Sequence, residues 1–150
     1  MIKLNNGRNM KKNFKKIIGK KVNIRLPRLT DAKAMFTNWA ADDEVTKTLT
    51  WFSHTSLAIS EMVLQMWVSG ETNTFNWIIE NKINEEAIGA ISLFNVDYEK
   101  KTCEIGYCLS KKFWNQGIMS EAVYLILGYA IKKAPGRCIW KIGFPFHNPL

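Results

Sequence analysis

The sequence is short of several things, and each shortage removes a class of function. It holds only two histidines and three cysteines. Cys103, Cys108 and Cys138 form no CxxC pair and have only His54 and His147 for company, so zinc-ligand spacing is missing and no metal site is expected. An odd set of unpaired cysteines implies reduced thiols and a cytoplasmic protein. No apolar run approaches the roughly 18 residues of a membrane span, so no membrane partner is expected. Ile17-Ile18 also falls short of a signal-peptide core of about 7–15 residues. The glycines spell neither GxxxxGK nor GxGxxG, which removes the P-loop and dinucleotide fingerprints. A GxSxG elbow is missing too, and the histidines have no context for a catalytic triad.

What is present reads as one globular domain: 150 residues, 47% hydrophobic and 12% aromatic. The net charge of +8 is local. Lys3, Arg8, Lys11, Lys12, Lys15, Lys16, Lys20 and Lys21 carry all of it, and no acid precedes Asp31. Residues 1–20 are therefore read as a basic, frayed extension ahead of a domain over 21–150, with Met10 an alternative start of translation. A basic arm can bind nucleic acid, but no recognised motif accompanies it, and a solvated terminus is the preferred reading.

Periodicity supplies the elements. Val22, Ile24 and Leu26 alternate as a half-buried first strand, Pro27 ends it, and Thr30 is placed to cap a helix. Ala32, Met35, Phe36, Trp39 and Ala40 form the apolar face of that helix. Asp42 to Lys47 continues as a short helical turn, and Trp51 to Thr55 forms a loop. Ile59, Met62, Val63, Met66 and Trp67 repeat the helical stripe until Gly70 closes it. Strands follow at 75–79, 87–94 and 103–109. In the last of these Cys103, Ile105, Tyr107 and Leu109 share one face and Glu104, Gly106 and Cys108 the other. A helix runs from Gly117 to Lys133, and Cys138 to Ile142 makes a final strand. This order predicts an α+β fold, a mixed and mostly antiparallel sheet flanked by helices.

The segment that carries chemistry is the strand ending at Leu109, the turn from Lys111 to Gly117, and the helix behind it. A turn entering a helix offers unpaired backbone N–H groups, and the helix dipole favours an anion there. Phosphate can sit on such a turn without a basic side chain. Gly117 lets backbone approach a ligand closely. Ser120 could add a hydroxyl, and Glu121 is expected to point away from any anion. Taken alone, the turn is equally an ordinary strand-to-helix connection.

Glu104-Ile-Gly-Tyr-Cys-Leu109, followed by Phe113-Trp-Asn-Gln-Gly-Ile-Met-Ser-Glu-Ala122, resembles the acetyl-CoA signature of the GNAT superfamily of N-acetyltransferases. It is most similar to the branch containing the ribosomal-protein N-terminal acetyltransferases, as are Arg25-Leu-Pro-Arg-Leu-Thr-Asp31 and Phe75-Asn-Trp-Ile-Ile-Glu80. The family's loop reads Gln/Arg-x-x-Gly-x-Gly/Ala; aligned on Gly117, this chain has Trp114 first and Met119 last, both departures. The resemblance implies acetyl-CoA as co-substrate and an amine as acceptor, either a protein N-terminus or a small molecule. It implies that Tyr107, Cys108 and Leu109 meet the pantetheine and that Trp114, Asn115, Gln116, Gly117, Ile118, Met119 and Ser120 surround the pyrophosphate.

An attacking amine must first lose a proton. Glu104 is the candidate base, a solvated strand carboxylate being the alternative, and Glu80 is the second candidate. Tyr107 is read as packing or as proton donor to the departing thiolate. Cys108 lacks an activating base and is set aside as a nucleophile. The Trp51 loop and the second helix are expected to shape the acceptor pocket. The family continues beyond Asn148, itself a candidate cofactor contact, with a further helix and strands. The chain is therefore expected to be truncated, with an exposed last strand open to homodimerisation. A catalytically impaired CoA-binding remnant is the alternative function.

Overall fold

The computed structural model describes residues 13–70, 74–97, 99–133 and 141–143. Strand β1 (Ile17–Ile18) lies inside the supposed basic extension and pairs antiparallel with β2 (Val22–Arg25), Ile17 opposite Ile24. Phe14 and Ile17 pack on the main core. Apolar residues within the basic run thus join the sheet and its core.

Strand β2 is not half-buried as its alternation suggested. Val22 and Ile24 enter one core, while Asn23 and Arg25 are buried on the other face. Those polar side chains are accommodated by pairing. Arg25 donates to Asp31 through both terminal nitrogens, at 2.9 and 2.7 Å, and its Nε donates to Glu80. Asn23 and Lys16 also bind Glu80.

Helix α1 covers residues 29–40 as three fused turns: 3-10 at Leu29–Asp31, α at Ala32–Met35 and π at Phe36–Ala40. Thr30 does not cap it. Asp31 does that work, its carboxylate accepting from the Arg28 N–H at 2.8 Å. Helix α2 (Asp43–Thr46) is capped by Asp42, whose side chain accepts from the Glu44 N–H. Helix α3 (Leu57–Ser69) ends at Gly70, whose φ of 69° is the left-handed conformation that glycine adopts without strain. Its buried face runs through Ser60 and Leu64, with Val63 and Trp67 half-buried. Met62 and Met66, expected inside, are exposed.

Strands β3 (Phe75–Asn81), β4 (Ala87–Asp97) and β5 (Thr102–Leu109) follow as antiparallel neighbours, β4 running three residues past its expected end. Helix α4 (Ile118–Lys133) crosses back, and β6 (Lys141–Gly143) lies parallel to β5. The sheet order is β1-β2-β3-β4-β5-β6. One face carries Ile24, Trp77, Ile91 and Ile105 against Ile118, Ala122 and Ile126 of α4. The other carries Ile78, Ala90 and Cys108 against Met35 and Trp39 of α1 and Leu64 of α3. Each large apolar side chain fully buried this way contributes about 1.5–3 kcal/mol. The division of β5 into two faces is as expected. The first half of the predicted last strand, with Cys138, lies outside the described residues, as does Asn148.

A register shift between Ile79 and Glu80 takes the β3–β4 ladder from Ile79–Gly89 to Glu80–Ala87, leaving Ile88 as an extra residue in β4. Gly89 beside it lies so near β5 that a Cβ would meet the Cys108 carbonyl oxygen at 2.4 Å. A glycine is required there, and it holds β4 against the stretch of β5 that carries the signature.

Candidate functional site

Strand β5 pairs with the described part of β6 only through Thr102, Cys103 and Glu104. Beyond them β5 runs on to Leu109, where the Ser110 N–H donates to the Ile88 carbonyl and the chain leaves the sheet. A 3-10 turn (Lys111–Phe113) leads to Trp114. The Trp114 indole N–H donates to the Leu109 carbonyl at 2.9 Å, tying the loop back to the strand that launched it. Asn115 (φ 58°) and Gly117 (φ 73°) both take the left-handed conformation. The two left-handed residues curl the chain so that the amides from Asn115 onward lead directly into α4. Met119, in place of the family's small residue, directs its bulk into the core and is 4% exposed.

Among the described residues no side-chain acceptor meets the N–H groups of 115–120. Glu121, the one carboxylate in the first turn, faces elsewhere. It accepts from the N–H groups of Lys20, Lys21 and Val22 at 2.9–3.0 Å. Burial pushes its pKa up, but those three amides and the Lys21 charge outweigh it and hold the carboxyl below the ordinary range. It therefore stays ionised without opposing an anion at the loop. From the other side the Lys21 ammonium donates to the Gln116 carbonyl at 2.7 Å.

Two cavities adjoin this segment. The first, about 100 Å³, is bounded by Tyr107, Cys108 and Leu109 of β5 and by Trp114, Asn115 and Gly117 of the loop. Ile118 and Met119 of α4 close it, with Phe113 and Val45. Of the predicted cofactor residues, Gln116 and Ser120 are not on its wall. Gln116 turns its amide to the Lys112 carbonyl, and Ser120 is exposed. Val45 was missed because no local pattern links α2 to the loop some seventy residues later.

The second cavity, about 350 Å³, lies over the face of Gly106 and Cys108. Trp51 and Trp67 wall it, as the sequence suggested, with Phe94, and Ser92 and Asn76 stand among its polar lining. Tyr107 and Cys108, near the end of β5, border both cavities.

The proposed acid–base residues divide. Burial raises the Tyr107 pKa, so its hydroxyl keeps its proton at neutral pH. Glu104 is half-buried opposite Phe94 and borders neither cavity. It shares the Gly106 face about 7 Å along the strand. Glu80 is a correction: it is 1% exposed and fixed by Arg25, Asn23 and Lys16. Burial pushes its pKa up, but those bonds win and hold it below the usual carboxylate range. A carboxylate so held is a weaker base than a free one, and Glu80 borders neither cavity. Burial drives the Cys108 thiol up to about 12, which removes it as a nucleophile. His54, its Nδ1 bonded to the Ser60 hydroxyl, is structural. Among the described residues no three His, Cys, Asp or Glu side chains converge as metal ligands. No helix among them is long and apolar enough to cross a membrane.

The fold and this loop define a member of the acetyltransferase (GNAT) domain family: the family model matches residues 21–143, and the chain belongs to it. The chain is similar to an uncharacterized N-acetyltransferase, p20, of Bacillus licheniformis, 33% identical over 113 residues. That match takes in 73% of this chain and 62% of p20, so the chain spans less than two thirds of this relative. Among solved structures, a GNAT-family acetyltransferase from Bacillus anthracis superposes with a TM-score of 0.68 at 20% identity, over 79% of this chain and 68% of that one. RimL, a ribosomal L7/L12 alpha-N-protein acetyltransferase in complex with coenzyme A, gives 0.67 at 19%, over 79% and 69%. These two likenesses establish the fold.

Proposed function

We propose that this chain is an acetyl-CoA-dependent N-acetyltransferase whose acceptor is a primary amine. The observation that carries the proposal is that two cavities share Tyr107 and Cys108 in their walls. One is bordered by a left-handed loop and a helix start, the other by a separate aromatic wall. Gly117 fits the cofactor role. A Cβ there would meet only the tip of Lys21 at 3.3 Å, so the loop surface is open backbone. The amides from Asn115 into α4 would hold the pyrophosphate, with the helix dipole behind them. Tyr107, Cys108 and Leu109 would lie along the pantetheine.

When bound, the thioester supplies an activated acetyl group: the amine nitrogen bonds to the acetyl carbon, the C–S bond breaks, and the electron pair leaves on sulfur. The protein's part is to place the amine, remove its proton and protonate the thiolate. Tyr107, which lines both cavities and keeps its hydroxyl proton at neutral pH, is assigned the last task. Proton removal is assigned to water linked to Glu104, since the carboxylate stands off the cavity walls. A protein N-terminus is one acceptor this reading admits, in keeping with the substrate that RimL's name states.

A thermal-shift titration tests the cofactor half. At a concentration 100-fold above Kd a ligand stabilises by about 2.7 kcal/mol, a rise of roughly 5–11 °C for a domain of this size. No shift with acetyl-CoA would refute the assignment. Release of CoA thiol in the presence of amines tests transfer, and Glu104→Gln should lower kcat by at least about a hundred-fold while leaving the thermal shift intact.

A further inference from the structure

The second cavity is unusual in what borders it. Thirteen described residues line it, and none carries a charge. Trp51, Trp67 and Phe94 supply broad apolar surfaces, reaching it from a loop, from α3 and from β4. Ser92 donates its hydroxyl proton to the Asn76 side-chain oxygen at 2.7 Å, across the β3–β4 ladder. That bond orients both groups: the Ser92 oxygen keeps its lone pairs for another donor, and Asn76 is 7% exposed.

From this lining we infer that the acceptor is a primary amine joined to an aromatic-sized apolar body, without an acidic group beside the amine. The inference rests on the acetyltransferase reading and narrows its substrate. The body packs between Trp51, Trp67 and Phe94, and the amine N–H donates to Ser92. A carboxylate brought into the same cavity would give up part of its hydration and meet no cation among the described lining residues. An ammonium is disfavoured in the same way, so the cavity favours the neutral, attacking form of the amine. Ser92 is a positioning residue here, since it orients the nucleophile and exchanges no proton with it.

The chemistry has two sources, a free arylalkyl amine and a peptide with an aromatic first residue, and the experiment separates them. The full chain is given acetyl-CoA with 2-phenylethylamine, phenylalanine, a Phe-Gly peptide amide or an Asp-Gly peptide amide, and CoA thiol release is followed. The kcat/KM for 2-phenylethylamine or the Phe-Gly amide should exceed those of phenylalanine and the Asp-Gly amide by at least about ten-fold. Whichever of the first two leads identifies the source. Trp51→Ala, at a partly exposed loop position, should raise KM for the aromatic amine about ten-fold. The same variant should keep the full acetyl-CoA thermal shift. Ser92→Ala should lower kcat more than it raises KM, and Ser92→Thr should restore part of it.

Equal or better use of the acidic acceptors overturns the inference, as does an unchanged KM in Trp51→Ala. Calorimetric titration of 2-phenylethylamine against phenylalanine, without cofactor, decides the case independently. Preferential binding of the amine upholds the cavity's selectivity even if acetyl-CoA fails to bind, whereas absent or equal binding refutes it while leaving the cofactor reading intact.

Discussion

Replacing Glu80 by glutamine tests whether that carboxylate is part of the scaffold or of the chemistry. The residue is 1% exposed, and it meets Arg25, itself 5% exposed, together with Asn23 and Lys16. Removing one member of a buried pair typically costs about 3–5 kcal/mol, because the remaining charge is left uncompensated. Arg25 would keep both bonds to Asp31, so the loss should fall at the low end, about 3 kcal/mol. For a chain of this length that is a fall in Tm of roughly 6–12 °C. The sign with pH follows from the lowered pKa. The contribution is fully present above the unfolded glutamate value of about 4.3 and is lost as pH falls through the lower folded value. Wild type and Glu80→Gln should therefore differ most near pH 7 and converge in acid. The assay is thermal unfolding at several pH values beside kcat measured well below either Tm. The reasoning is refuted if the variant unfolds like wild type, or if a folded variant loses kcat a hundred-fold, as removal of a general base would require.

The remaining predictions concern the loop and the thiol. Gly117→Val combines a left-handed backbone with a β-branched side chain, a strain of about 1–3 kcal/mol, and should abolish most of the acetyl-CoA thermal shift. Native stabilisation by acetyl-CoA equal to wild type would count against the loop as the phosphate site. Cys108, with its pKa pushed up to about 12, should resist iodoacetamide at pH 8 in the folded protein and react once denaturant is added. Rapid alkylation of the native chain, mapped to Cys108 by mass spectrometry, would show that the thiol is not held as the structure holds it.

The legible parts of this fold are those where one local pattern reports one face. Strand β5 alternates cleanly, so the division between Ile105 and Gly106 could be read from the sequence. The turn into α4 was legible because all its residues are neighbours in the chain. Helix α3 was misphased for a physical reason. Ser60 occupies a core position because His54 bonds its hydroxyl at 2.7 Å, and hydropathy scores that buried serine as surface. Strand β1 was hidden by charge: Lys16, Lys20 and Lys21 suggested a solvated leader, yet Lys16 pairs with Glu80 and Lys21 with the Gln116 carbonyl. The π turn of α1 shifts its last residues by one, with the Ala41 N–H reaching the Phe36 carbonyl. The second cavity joins Trp51 and Trp67, on the loop and helix expected to share a pocket, with Asn76 and Ser92 of β3 and β4, which no local pattern links to them.

The links between the β1–β2 turn and the loop explain how a helix start with a glutamate in its first turn would still accept the anionic ligand proposed for it. Glu121 would repel a phosphate if its carboxylate faced the loop, and a neutral residue there would avoid the problem. Instead the charge is spent on the amides of Lys20, Lys21 and Val22, which enter β2 from the turn behind the helix. That contact fixes the N-terminal hairpin to the first turn of α4. Held there, Lys21 reaches the Gln116 carbonyl and places a cation within 3.3 Å of the Gly117 Cβ position. The negative charge is thus drawn off the loop and a positive one brought up to it by the same short turn. An ion-sized ligand at Gly117 would meet a field of the right sign from the amides, the helix dipole and Lys21 alike. The basic run that looked separate in the sequence thus contributes Lys20 and Lys21 to what shapes the loop.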